Sequence, residues 1–310
     1  MPTEIIRPKT HQDWLLHRAS GIGSSEVGTI LGVNPFDTPY QLWLRKTGKA
    51  PAIEENFAMK AGHYLEDAVA RFWEDESGRK VVKSSAGDWL VCQADRPHLR
   101  VSPDRLYWLE GRKGERGILE CKTTQRTVDI DNFPKAWFCQ VQYQLGVAEM
   151  LHGSLAWLIS GRAFGYRDIA FNKDFYEWIV SEVEAFWHNN ILGGVEPLPI
   201  SVEDVVLKFP THTEGKSLET TEEVALACHR YNEFKEQIAE LEERKAEAEK
   251  SIKMAFNDAE SISYGGLILA TWRGSKPSEK IDVARLKADH PELVAQYLKQ
   301  ANGSRRLSVK

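Results

Sequence analysis

Cysteine is scarce in this chain: four residues in 310, at Cys92, Cys121, Cys139 and Cys228. Spacing this wide fits neither a cysteine-based zinc site nor a disulfide framework, and it excludes a four-cysteine iron–sulfur cluster. A reducing compartment, the cytoplasm, is the expectation. Long apolar runs are also missing, since none approaches the roughly 18–20 residues of a membrane span. The first fourteen residues have no signal-peptide core, so no membrane partner is expected. Net positive charge is absent as well, with 40 Lys and Arg against 45 Asp and Glu. That excludes a protein that coats nucleic acid non-specifically. It leaves room for an enzyme that grips a phosphate backbone through a local basic groove.

The acidity is uneven. Residues 201–260 hold 8 basic and 15 acidic side chains, residues 261–310 hold 9 and 4, and residues 1–200 are close to balance at 23 and 26. Hydrophobic content of 42% and charged content of 27% are those of a soluble protein with a real core. The length predicts one main domain and an appended one.

Periodicity predicts helices over 11–19 and 24–31, a short one over 40–46 and a longer one over 56–76. In the last of these Phe57, Ala61, Leu65, Val69 and Phe72 form the expected buried stripe. Strands are expected within 81–94, with Trp89, Val91 and Gln93 facing one way and Leu90 and Cys92 the other. A helix over 131–150, strands over 155–160 and 166–171 and a last helix over 173–189 complete an α/β domain with a mixed sheet, residues 1–205. Residues 216–260 lack Gly and Pro and carry a weak heptad seam, a long helical arm. Residues 261–310 read as a small basic α+β module.

The chemistry concentrates in one stretch. Pro103-Asp104 is followed, after a turn rich in glycine (Gly111, Gly114, Gly117), by Glu120-Cys121-Lys122. In a strand, alternate side chains share a face, so Glu120 and Lys122 point together while Leu119 and Cys121 enter the opposite layer. A hairpin would add Asp104. Hard oxygen ligands beside an amine suit Mg²⁺ or Mn²⁺, with the amine holding a water. The plain alternative is a salt bridge on a hairpin surface. Arg18 and the Ser24-Ser25 pair after Gly21-Ile22-Gly23 flank a helix start. There the serines either cap the helix or, with Arg18, offer hydroxyls and backbone N–H groups to an anion. Glu66 lies beside the expected stripe of its helix, and Gln140 and Gln144 stand one turn apart.

Taken in order, Arg18 with Ser24-Ser25, Gly62-x-x-x-Glu66, Pro103-Asp104, Glu120-x-Lys122 and Gln140-x-Gln142 resemble the YqaJ/lambda-exonuclease family. This family lies within the PD-(D/E)xK nuclease superfamily, and the resemblance covers about two-thirds of the chain. It implies a restriction-endonuclease-like core with a mixed central sheet flanked by helices. It implies a Mg²⁺-dependent 5′→3′ exonuclease on duplex DNA ends that leaves 3′ single strands for phage recombination. Asp104 and Glu120 would be metal ligands, with the Cys121 carbonyl and Glu66 beside them. Lys122 would orient or deprotonate the attacking water, and Gln140 or Gln142 would position substrate or lysine. Arg18, Ser24 and Ser25 would bind a 5′-terminal phosphate. A ring-shaped trimer, a single-strand annealing partner and a phage or prophage origin in a bacterial cytoplasm are implied by the same resemblance. An endonuclease or other RecB-like DNA nuclease of the same superfamily and a non-catalytic DNA-binding scaffold are the competing readings.

Overall fold

The computed structural model describes residues 3–51, 56–82, 90–112, 114–279, 281–298, 303 and 305–309, without the side chains of His11, Trp14 and Leu15. The expected strand face at Trp89 therefore lies outside the described residues. The chain forms two compact units, Met1–Lys208 and Phe209–Lys310. Among the described residues no helix is long and apolar enough to cross a membrane.

The first unit begins with β1 (Thr3–Ile6), α1 (His11–Ala19), the two-residue strand β2 (Ile22–Gly23), α2 (Ser24–Ile30), α3 (Pro39–Lys46) and α4 (Phe57–Ser77). Four strands follow, β3 (Leu90–Gln93), β4 (Arg96–Val101), β5 (Arg105–Trp108) and β6 (Arg116–Thr124). Then come α5 (Lys135–Val147), β7 (His152–Ile159), β8 (Ala163–Ala170) and α6 (Lys173–Ala185). A π-helical turn, Phe186–Leu192, and α7 (Val202–Lys208) close the unit.

The expected single central sheet is instead two four-stranded sheets, ordered β1-β3-β4-β2 and β5-β6-β7-β8. Both are mixed, because β2 runs parallel to β4 and β6 parallel to β7 while the other pairs are antiparallel. The break falls at Ser102-Pro103-Asp104, between β4 and β5. Pro103 has no N–H with which to continue a ladder. Asp104, the first acid of the expected site, therefore sits where the chain passes from one sheet to the other.

Helix α5 fills the space between the sheets and is buried from Cys139 through Val147. Cys139, Tyr143 and Val147 pack with Ile22, Val91, Leu99 and Val101 of the first sheet. Val141 and Leu145 pack with Ile118, Leu155 and Trp157 of the second. The helix starts at Lys135 rather than 131 because Pro134 drives the residue before it out of helical geometry.

Of the five residues in the stripe expected on α4, Val69 alone is buried. Phe57, Leu65 and Phe72 are exposed and Ala61 is half-buried. The helix buries Val69, Ala70 and Trp73 on the second sheet, against Tyr107, Leu119, Cys121 and Ala156, and the Phe72 ring lies 5.8 Å from that of Phe164 on β8. Strand β3 is buried at all four positions, so it shows no alternation. The helix expected over 173–189 changes from α to π geometry at Phe186.

In the second unit Thr221 caps α8 (Glu222–Phe256), 35 residues that span about 52 Å. Phe256 is its buried residue and meets Trp272 edge-on. The heptad positions Tyr231, Phe234, Ile238 and Leu241 are exposed. The strands β9 (Ser261–Tyr264) and β10 (Leu267–Thr271) form a hairpin turned by Gly265 and Gly266, both at positive φ. The short helices α9 (Val283–Asp289) and α10 (Pro291–Tyr297) follow.

Candidate active site

Strands β5 and β6 pair with Arg105 opposite Leu119, which places Asp104 at the mouth of the hairpin beside Glu120 and Cys121. The period of two in β6 divides its side chains between two layers. Leu119 and Cys121 enter the core under α4, while Glu120 and Lys122 face α5. Asp104 Oδ2 accepts the backbone N–H of Cys121 at 2.7 Å.

Glu120 is only 2% exposed, and both its oxygens are engaged. Its Oε1 accepts from Lys122 Nζ at 2.6 Å and from Gln140 Nε2 at 2.6 Å, and its Oε2 accepts from Gln144 Nε2 at 2.7 Å. Lys122 Nζ also donates to Gln140 Oε1 at 2.9 Å. Burial of a carboxylate is tolerable only with this density of donors.

Glu66 is delivered by α4, which crosses β6 closely enough that a Cβ on Gly62, one turn earlier, would sit 3.8 Å from Thr123 Oγ1. Arg105 steadies that corner. Its guanidinium lies 3.6 Å from Glu66 Oε2, bonds Asp67 Oδ1 at 2.6 Å and donates to the Asp104 carbonyl at 2.6 Å.

Electrostatically the site holds more negative charge than its own cations neutralise. Burial pushes the Asp104 carboxyl well above the ordinary range, the Glu120 and Glu66 charges push it further, and Lys122 opposes them. Glu66 is raised, first by burial, against the pull of Arg105. Lys122 is held above its usual value: burial works against its charge, but Glu120 and Asp104 outweigh it, so it is an ammonium. Carboxylates crowded in this way suit a hard divalent cation, whose charge would offset the repulsion. The oxygens of the three acids do not all converge within 4.8 Å; Glu120 is turned onto Lys122 and the two glutamines. The donor set fits Mg²⁺ or Mn²⁺.

Gln142 is not part of this group. Two residues beyond Gln140 it faces the far side of α5, where it donates to Ala170 O at 2.8 Å and accepts from Asn172 N–H at 2.9 Å. The second glutamine on Glu120 is Gln144, absent from the expected site residues although its one-turn spacing from Gln140 was readable. Arg105 was missed too, since a lone arginine in a strand carries no signal.

The Arg18 and Ser25 side chains meet, with Nη2 donating to Oγ at 2.7 Å. The helix cap is Gly23 rather than either serine. Its N–H donates to Glu26 Oε2 at 2.8 Å, leaving the serine hydroxyls to other partners. Ser24 accepts from Gln144 Nε2 at 3.3 Å, so one glutamine touches both this turn and Glu120. Lys46, also unforeseen, pins the turn through Gly21 O at 2.6 Å, Arg18 O at 3.2 Å and Glu26 Oε2 at 2.9 Å.

Residues 13–151 match the family described as the YqaJ-like viral recombinase domain. An uncharacterized protein, YqaJ, of Bacillus subtilis strain 168 is 33% identical over 314 residues, covering 97% of this chain and 94% of the relative. Among solved structures, an alkaline exonuclease (LHK-Exo) from Laribacter hongkongensis is similar at a TM-score of 0.46 and 16% identity, over 64% of this chain and 96% of that one. A phage-related exonuclease from Haemophilus somnus gives 0.39 and 14%, over 56% and 96%. At these scores the backbone likeness carries no argument about this chain's activity.

Proposed function

Because this chain belongs to the YqaJ family of viral recombinase domains, we propose that it is a Mg²⁺-dependent deoxyribonuclease that digests duplex DNA 5′→3′ from its ends. The observation that carries this reading is the meeting of Asp104, Glu120 and Lys122 at the β5–β6 mouth, with Glu66 supplied by α4. Asp104, Glu120 and Glu66 would hold the ion, with the Cys121 carbonyl, which shares a strand edge with the N–H that Asp104 accepts. Bound there, Mg²⁺ supplies neutralisation of the phosphate and a more acidic water.

The rest belongs to the protein. Gln140 and Glu120 hold the Lys122 ammonium by its Nζ, leaving a donor directed at phosphate or water. Charged, it orients a nucleophile and stabilises charge developing on phosphorus. Gln140 and Gln144 fix Glu120 so that it is not drawn wholly onto the lysine. Arg18 and Ser25 form a small cationic, hydroxyl-bearing site for a 5′-terminal phosphate, for which a guanidinium is the preferred partner. The overall negative charge of the chain is compatible with this role, because a DNA end needs a local grip. The same reading gives the protein a single-strand annealing partner, a ring-forming homo-oligomer and a role in phage-type recombination, leaving 3′ overhangs.

The test is a linear duplex labelled at either end, with and without a 5′ phosphate, in Mg²⁺ or EDTA. Release of the 5′ label in Mg²⁺ alone, favoured by the phosphate and lost in Arg18→Ala, is expected. Release from the 3′ end only refutes the polarity, and undiminished digestion in EDTA refutes the metal.

A further inference from the structure

Away from the acids, the first unit gathers a second cluster of ligand atoms that the nuclease reading does not use. His98 lies on β4, Glu184 in the last turn of α6 and His188 in the π-helical turn. His98 Nε2 stands 3.1 Å from Glu184 Oε1, and His188 Nε2 stands 2.8 Å from Glu184 Oε2. The ligand atoms of all three residues lie within 4.8 Å of one another.

The His98–Glu184 pair is close but not aligned as a hydrogen bond, and both atoms are buried without a hydrogen-bond partner. Such orphaned polar atoms are costly in a folded protein, and a cation held to one side of the pair, toward His188, would satisfy both. Tetrahedral zinc, with ligand bonds of about 2.0–2.2 Å, spaces adjacent ligand atoms by about 3.3 Å. The His98 ring is stacked on Trp187, centroid to centroid 5.4 Å and tilted by 5°, which fixes its plane.

We propose that His98, Glu184 and His188 form a zinc-class metal site, separate from the Mg²⁺ acids. Two imidazoles and a carboxylate make a borderline ligand set that selects zinc or cobalt, whereas Mg²⁺ takes oxygen ligands. The two ions therefore sort themselves by chemistry. The zinc site is a brace. It ties β4 to the α6–π junction, and β4 is the strand on which β2 and the Arg18–Ser25 turn rest. A Cβ on Gly21 would come within 2.5 Å of the His98 carbonyl, so the turn lies directly against the ligand strand.

The test uses the full chain without an affinity tag, stripped by chelator and then given Zn²⁺ or Co²⁺ in excess Mg²⁺. One Zn²⁺ retained per chain, a higher melting temperature and the visible absorption of tetrahedral Co²⁺ are expected. His188 is 57% exposed, so His188→Ala should fold with an unchanged metal-free melting temperature. It should bind Zn²⁺ at least about 100-fold more weakly. Glu184→Gln provides a second loss of ligand. The Asp104→Asn/Glu120→Gln double variant should keep the ion. Failure of the wild type to retain Zn²⁺ overturns the site. So does equal retention by His188→Ala and Glu184→Gln, or loss of the ion in the double variant.

Discussion

Replacing Lys122 with methionine keeps the length of the side chain and removes the ammonium. Two hydrogen bonds are lost, at 2.6 Å to Glu120 and 2.9 Å to Gln140. A charge-assisted bond is worth about 1.5–3 kcal/mol and orphaning a buried charge costs about 3–5 kcal/mol. Glu120 is not orphaned, because the Gln140 and Gln144 amides still donate to it. The net loss should therefore be about 2 kcal/mol, since charge-assisted bonds set the scale. For a unit of this size that lowers the melting temperature by about 4–8 °C. With the ammonium gone, the repulsion among Asp104, Glu120 and Glu66 grows, so Mg²⁺ should raise the melting temperature more in the variant than in the wild type. Turnover on linear duplex should fall by about 10²–10⁴-fold. The assays are differential scanning calorimetry with and without Mg²⁺ and release of end label. A variant that digests at the wild-type rate, or gains no more from Mg²⁺ than the wild type does, refutes this account of Lys122.

Three further outcomes are expected. The raised Asp104 carboxyl binds its proton more tightly in the folded than in the unfolded chain, so without metal its contribution to stability is present at low pH. That contribution is lost as pH climbs from the ordinary carboxylate value through the raised one. In EDTA, Asp104→Asn should therefore stabilise the protein more at about pH 8 than at about pH 5; equal effects in paired melts would contradict the charge crowding. Gln142→Leu should cost about 1–3 kcal/mol for each of the Ala170 O and Asn172 N–H groups it strands, yet leave turnover of the folded enzyme intact. Gln144→Leu should slow turnover by about 10-fold or more, and the reverse pattern in steady-state assays would misplace the second glutamine.

The hairpin was legible because period two needs no tertiary knowledge: Glu120 and Lys122 share a face in any strand, and the glycine turn returns the chain to Asp104. The glutamines were only half legible. Helical angle alone separates Gln140 and Gln144 from Gln142, but which of the two faces meets Glu120 depends on how α5 lies between two sheets. The α4 stripe failed for a related reason. Phe57 and Leu65 have the right period but stand exposed, and Phe72 meets the sheet only at Phe164 and stays half-exposed. The division into two sheets hides in Pro103, which reads as part of a motif before it reads as a ladder breaker. His98 and Glu184 lie on distant elements that packing alone brings together.

Gly28 sets a dimension of the whole assembly. A single methyl there would stand 2.8 Å from Ala136 Cβ, so α2 and α5 touch almost backbone to backbone. The serine turn and the glutamine row are mounted on these two rods, and the clearance between them is less than one carbon atom. Breathing that separated the Arg18–Ser25 pair from Glu120 would have to part the rods first. On the proposed nuclease reading, the length of strand that bridges the two would be a fixed gauge, machined into the protein by the omission of a side chain.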